Sequence, residues 1–159
     1  MYSLPTFGGY MVIDIKKLRP DAKLPVRANP SDAGADVFYA YEDVTIHQGD
    51  SVVLGTGLQI ATPYGFVTEV KNRSGMAAKK SLVVGACVID SGYEGELMIN
   101  LHNIGTKPQV IKNGDKIAQI VVYQVELPEF SEVPESVPLY TRTPTISNRK
   151  DGGFGSTGA

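Results

Sequence analysis

Arg73, Ser74 and Gly75 stand in a row where the chain passes from an apolar run into a short stretch of helix formers. An arginine presents a planar fork of donors that matches phosphate oxygens, and a serine-glycine pair opening a helix adds free backbone N–H groups and the positive end of its dipole. Together they read as an anion cradle suited to phosphate. As an isolated triplet they read better as a surface ion pair followed by a plain helix cap, with Ser74 as the cap. A second set lies near the C-terminus, where Arg149 precedes Gly152, Gly153, Phe154, Gly155, Ser156, Thr157 and Gly158. Arg149 suits phosphate, the Ser156 and Thr157 hydroxyls with the glycine amides suit further oxygens, and Phe154 suits stacking on a flat ring. Glycines are costly to order, so composition alone makes this tail a disordered terminus that a ligand would order.

The elements that must position these groups are strands. From Met11 to Val125 short apolar alternations are separated by Gly, Pro, Asn or Asp, the pattern of strands and turns. The clearest are Ala35 to Ala40, Ser51 to Leu54, Gly65 to Lys71, Gly95 to His102 and Lys116 to Val125. In Gly95 to His102, Leu97, Ile99 and Leu101 point one way while Met98 and Asn100 point the other, as in a half-buried strand. Only Ser74 to Lys80, with Met76, Ala77 and Ala78, reads as a helix, of one or two turns with Ser74 as its cap. Many short strands with one minor helix predict an all-β fold, most simply a jelly-roll-like distorted barrel.

The 159 residues, 42% hydrophobic and 20% charged, suffice for one compact core and fall short of two ordinary domains. The apolar run Ile117 to Val125 is far shorter than a membrane span, and Met1 to Tyr10 lacks the pattern of a secretory signal, so the expectation is a cytoplasmic protein with no membrane partner. The net charge of −2 offers no broad basic field for nucleic acid. One cysteine, Cys87, gives no disulfide framework, and His47 and His102 lack metal-ligand spacing. After Val125 the chain becomes rich in proline and glutamate, with Pro128, Pro134, Pro138 and Pro144 among Glu126, Glu129, Glu132 and Glu135. This reads as an extended linker able to reach a neighbour. The resulting division is an N-terminal extension at 1–10, a β-barrel domain at 11–125, a linker at 126–147 and a glycine-rich arm at 148–159.

Five segments in order resemble the trimeric dUTPase family: Ala33-Gly34-Ala35-Asp36, Arg73 through Ala77, Val88 through Glu96, Gly114 through Gln119, and the glycine-rich tail. The resemblance runs along nearly the whole chain. It implies a homotrimer with sites shared between subunits, in which the C-terminal arm of one subunit closes over nucleotide bound at another. It implies hydrolysis of dUTP to dUMP and pyrophosphate with Mg²⁺, limiting uracil in DNA and supplying dUMP for thymidylate synthesis.

By matching position, Arg73, Ser74, Gly75 and Gln119 would contact the phosphates, joined by Arg149, Ser156 and Thr157 from the arm. A hairpin turning at Asp90-Ser91-Gly92 would take the nucleoside. Cys87, Val88 and Ile89 on one strand and Met98 on the other would read uracil through backbone groups, a pocket too shallow at C5 for thymine's methyl and with donors that reject cytosine's amine. Tyr93 would pack under the deoxyribose and exclude a 2′-hydroxyl, and Phe154 would cover the base. Asp90 would hold the 3′-hydroxyl and orient or deprotonate the attacking water; an aspartate opening a tight turn also commonly caps its own backbone. Asp36 would hold Mg²⁺ through water, since Mg²⁺ prefers phosphate oxygens and water to an all-protein cage. Glu94 and Glu96 match positions of structural value, where charge can pair across subunits.

The sequence departs from the family pattern at Asn72, usually proline; Met76, usually leucine; Val84, often asparagine; Cys87, often glycine; and Lys150-Asp151 after Arg149, usually glycine. Two other readings stay open at this point: a dCTP deaminase of the same fold, and a non-catalytic nucleotide-gated binding module.

Overall fold

The computed structural model describes residues 6–7 and 10–147. Among the described residues thirteen strands and one α-helix follow in order, before a short 3-10 turn at Leu139–Thr141: β1 (Thr6–Phe7), β2 (Tyr10–Met11), β3 (Ile15–Lys17), β4 (Ala35–Phe38), β5 (Val44–Ile46), β6 (Ser51–Gly55), β7 (Leu58–Ile60), β8 (Phe66–Lys71), α1 (Ser74–Lys80), β9 (Leu82–Val84), β10 (Val88–Ile89), β11 (Met98–Asn103), β12 (Gln109–Ile111) and β13 (Lys116–Gln124). The architecture is the jelly-roll-like β fold with one short helix that the sequence predicts. A four-stranded sheet runs in the order β10-β8-β13-β4, a three-stranded sheet in the order β6-β11-β9, and smaller sheets pair β12 with β5, β3 with β7 and β1 with β2. All pairings are antiparallel.

Alternation along the strands builds the core. In β11, Ile99, Leu101 and Asn103 are buried while Met98 faces out, and Leu97 just before it is fully buried. Val37, Ile46, Val70, Ile111, Ile117 and Ala118 fill the space between the sheets. Buried polar side chains are partnered, as a dry interior requires. Asn103 donates to the carbonyls of Ile46 (3.0 Å) and Lys107 (2.8 Å) and accepts from the Gly105 amide (3.0 Å), which fixes the bend after β11. Thr56 donates to the Leu97 carbonyl at 2.8 Å.

The helix covers the span the sequence predicts, but its cap differs. Arg73 holds the N-cap position in an extended conformation with no side-chain cap, and Ser74 is the first helical residue. Ser74 thus leaves its hydroxyl free of the helix. At the other end Lys79 and Lys80 complement the helix dipole, and Met76 is the residue buried on the core.

The expected hairpin also differs. Its lower half is a regular ladder in which β9 pairs with β11, Leu82 with Asn103 through Val84 with Leu101, and the Gly85 amide extends it to the Asn100 carbonyl at 3.0 Å. Its upper half is splayed: β10 leaves for the edge of the other sheet, where Val88 and Ile89 pair with Glu69 and Thr68 of β8. The strands on either side of the turn therefore belong to different sheets.

The described residues after Glu126 form a second compact unit, separate from those before it. This stretch, 127–147, was expected to be extended. It instead turns at Pro134–Val137 and Pro138–Thr141, and Arg142 reaches back to the Ser131 hydroxyl at 3.5 Å. Prolines preset the turn angles that make this possible.

Candidate active site

The register of the four-stranded sheet sets Asp36, Gln119 and Lys71 side by side on β4, β13 and β8. They lie on the outer face, with Ala35, Ile120 and Val70 on the core side. Arg73 follows β8 after one intervening residue, Asn72, and returns to this face. Its Nε donates to Asp36 Oδ1 at 2.6 Å, its Nη2 to Oδ2 at 3.5 Å and its Nη1 to the Lys116 carbonyl at 3.3 Å. Lys116 Nζ sits 2.9 Å from Asp36 Oδ2. Partial burial pushes the Asp36 carboxyl up, but hydrogen bonds from Lys116 and Arg73 outweigh it and hold the group below its ordinary value.

Asp36, Arg73, Ser74, Gly75 and Gln119 line one cleft of about 210 Å³ with Ala28, Asp32 and Gly34. The sequence placed all five of the first group at the phosphate and metal end, and the chain brings them together. Gln119 is fixed from two directions. Its Nε2 donates to the Asn72 carbonyl at 2.8 Å, and a Cβ on Gly34 would stand 2.0 Å from its Oε1, so only glycine leaves room for it. The salt-bridge reading of Arg73 is correct, since the pair exists. It is compatible with anion binding because each terminal nitrogen of the fork carries two hydrogens and gives one bond.

Lys116 is a site residue the sequence reading missed. Strand alternation would put Lys116 and Gln119, three apart, on opposite faces. A register shift between Lys116 and Ala118 turns both toward Asp36. A bulge of this kind leaves no period in the sequence.

The nucleoside-side residues lie elsewhere in the same chain, none lining the Arg73 cleft. The Cys87 carbonyl accepts the Val70 amide at 2.7 Å. In an antiparallel ladder this makes the next residue, Val88, a non-hydrogen-bonded position, so its amide and carbonyl turn from β8 toward the free edge. On the other leg Asn100 gives its carbonyl to Gly85, and Met98, two residues earlier, turns its backbone groups to the same side, beyond the end of β9. Both legs thus present unpaired donors and acceptors where the ladder opens, flanked by the exposed side chains of Val88 (57%), Met98 (37%) and Tyr93 (45%). Cys87 and Ile89 are half-buried against the core, so of the three residues on this leg Val88 alone offers both backbone groups outward.

Asp90 is exposed at the end of β10. Its carbonyl, not its carboxylate, accepts the Tyr93 amide at 3.3 Å, and Gly92 completes the turn at φ +88°. The carboxylate does not cap the turn and is left for other work. The Tyr93 hydroxyl donates to the Glu96 carbonyl at 3.0 Å, which orients the ring. Tyr93 and Glu94 border a separate groove of about 440 Å³ with Asp14, Lys16 and Gln59.

Glu96 was expected to pair across subunits. Its carboxylate is committed within its own chain, accepting the Tyr41 hydroxyl at 3.0 Å on both oxygens and the Gly57 amide at 2.7 Å. Burial, then this carboxylate, pushes the Tyr41 phenol above its ordinary value, so it stays a donor. Glu96 anchors the second leg of the hairpin to the barrel. Arg149, Phe154, Ser156 and Thr157, expected at the phosphates and the base, lie outside the described residues, as does most of 1–10.

A hairpin edge with outward backbone groups and an arginine-lined cleft thus stand on a small β barrel of jelly-roll type. The chain belongs to the dUTPase family, whose model matches residues 20–158. The deoxyuridine 5'-triphosphate nucleotidohydrolase of Rhodococcus erythropolis is 43% identical over 152 residues, spanning 94% of this chain and 87% of that relative. The enzyme of the same name from Hydrogenobaculum sp. is 38% identical over 152 residues, spanning 93% and 99%. Among solved structures, a mutant of the Staphylococcus bacteriophage 80alpha dUTPase with dUpNHpp superposes with a TM-score of 0.80 at 27% identity, covering 93% of this chain and 99% of that one. A mutant dUTPase of the S. aureus phage phi11, described with a structural Mg(II) ion, gives 0.72 at 28% identity, covering 78% and 97%.

Proposed function

We propose that the chain hydrolyses dUTP to dUMP and pyrophosphate at sites assembled between the subunits of a homotrimer. The observation that carries this reading is the cleft where the Arg73 fork, the Ser74 hydroxyl and the Gln119 amide converge, in a chain that matches the dUTPase family over residues 20–158. The opened hairpin supports the substrate assignment. Unpaired backbone groups at Val88 and Met98 are fixed donors and acceptors for a pyrimidine edge, and fixed groups discriminate strongly because a wrong base leaves them unpaired. The separation of slot and cleft within one chain supports sharing, since a nucleotide needs both.

In this reading the base lies in the slot, Tyr93 packs under the deoxyribose, and the phosphates reach a cleft from another copy. Asp90 accepts a hydrogen bond from the 3′-hydroxyl and takes a proton from water as the water attacks the α-phosphorus in line. The bond from that phosphorus to the bridging oxygen breaks, and pyrophosphate leaves. Arg73, Ser74, Gly75 and Gln119 hold the phosphates, and Arg149, Ser156, Thr157 and Phe154 close over them, excluding water. Mg²⁺, when bound, neutralises the triphosphate charge. The residues fit it only at one remove. Both Asp36 oxygens already accept from cations, which leaves lone pairs for metal-bound water, and no cluster of three or more His, Cys, Asp or Glu able to hold a metal occurs among the described residues. No helix among the described residues is long and apolar enough to cross a membrane; a cytoplasmic enzyme is part of the same proposal.

The test is pyrophosphate release from dUTP, dTTP, dCTP and UTP side by side, with and without Mg²⁺. Strong preference for dUTP with Mg²⁺ is expected. Equal rates on UTP would remove Tyr93 from its role, and ammonia release from dCTP would replace the reading with a deaminase.

A further inference from the structure

We propose that Asn72 is a positioning residue that locks the anion cleft to the base of the splayed hairpin. The proposal rests on the reading of Arg73 and Gln119 as phosphate ligands. Asn72 stands between the end of β8 and Arg73 and accepts two hydrogen bonds. Its side-chain Oδ1 accepts the Val84 amide at 2.7 Å, and its carbonyl accepts Gln119 Nε2 at 2.8 Å.

The Val84 bond matters because of where it falls. Val84 is the last residue of β9, immediately before the two legs of the hairpin part. Its amide points away from β11, on an edge where no strand follows in the three-stranded sheet. A backbone N–H needs an acceptor, and Asn72 supplies the one a neighbouring strand would otherwise provide. The same residue steers the cleft. The Gln119 carboxamide is held between the Asn72 carbonyl and the Gly34 backbone, and Arg73 inherits its direction from the residue before it. Movement of the hairpin base would therefore reach Gln119 and Arg73 through one residue, its side chain on Val84 and its backbone on Gln119. In an assembly where slot and cleft serve different nucleotides, Asn72 links two sites.

The test compares kcat and KM for dUTP in the full chain and in N72A, N72D and R73A. N72A removes the acceptor. Val84 is only half-buried, so water replaces the lost bond and the fold survives. A displaced cleft costs on the order of 10- to 100-fold in kcat, with unchanged far-UV circular dichroism and unchanged oligomeric state. N72D keeps an acceptor at the same place and adds a negative charge beside the phosphates. It is expected to recover most of the lost kcat while raising KM, and the rise should shrink with added salt. Wild-type kcat in N72A, or N72A and N72D equally slow, overturns the proposal. R73A separates this from the underlying reading: full activity there overturns the cleft assignment and the proposal with it, whereas an inactive R73A beside a normal N72A overturns the proposal alone.

Discussion

Asp36 and Arg73, 37 positions apart in sequence, meet at 2.6 Å, and Lys116 closes on the other carboxylate oxygen at 2.9 Å. One carboxylate thus balances two cations on a half-buried face. Lys116 gives Asp36 a second cationic partner, independent of Arg73.

Replacing Asp36 by asparagine leaves Arg73 and Lys116 facing each other without a counter-charge. The loss of charge-assisted bonds is worth about 1.5–3 kcal/mol, expected as a lower urea midpoint with an unchanged slope. The variant should also need more Mg²⁺ for half-maximal turnover. A midpoint and Mg²⁺ dependence equal to wild type would contradict both the pairing and the outer role of Asp36.

The same group sets a pH signature. The folded Asp36 carboxyl lies below its ordinary value, whereas an unfolded aspartate titrates near about 3.9. The unfolded state binds the proton more readily, so the contribution of Asp36 is fully present above pH of about 4 and is lost as pH falls through the folded value. The stability gap between wild type and D36N should be flat from neutral pH to about 5 and then shrink. A gap that widened on acidification would show the opposite sign.

Asp90 is exposed and its carboxylate makes no hydrogen bond among the described residues. D90N should therefore melt with wild type while losing roughly 10²- to 10⁴-fold in kcat, the range of general acid-base catalysis. Unimpaired cleavage of dUTP by D90N would remove the proposed water-activating group.

Gly34 is a subtler handle. A methyl there would overlap Gln119 Oε1 at 2.0 Å, and a flexible side chain can swing away, so G34A should fold and mislay Gln119. Its loss in kcat/KM is expected to match that of Q119A, with little added by combining the two. Full additivity in the double variant would mean that Gly34 does not act through Gln119.

Truncation after Asn148 removes Arg149, Phe154, Ser156 and Thr157 together. A lid contributes to turnover more than to folding, so if the arm acts as proposed the shortened chain should keep its oligomeric state in light scattering and turn over dUTP poorly. A truncated enzyme at full rate would exclude the arm from catalysis.

Much of the fold was legible because alternation and local propensity are written in neighbouring residues. Phe66–Lys71, Ser51–Gly55 and the helix Ser74–Lys80 fall within a residue of where the pattern puts them, and Leu97, Ile99 and Leu101 are buried as their spacing requires. Arg73, Ser74 and Gly75 are legible from their own chemistry, whereas Asp36 and Gln119 are singled out only by the resemblance. The rest depends on partners far away in sequence. The shift that turns Lys116 toward Asp36, the departure of Val88 from the hairpin to β8, and the capture of Glu96 by Tyr41 and Gly57 are each settled by residues more than ten positions distant. Serine is a common cap and Ser74 reads as one, but the extended backbone at Arg73 gives that position to the arginine.

The parting of the two hairpin legs at Gly85 carries one last consequence. A slot made of peptide groups belongs to the path of the chain and not to the identity of its side chains. In the proposed reading, Val88 and Met98 can therefore be exchanged for other apolar residues without altering which base is admitted. Redirecting such an enzyme to a different base would require an insertion or deletion that moves the fork in the ladder, which single-residue library screens do not sample.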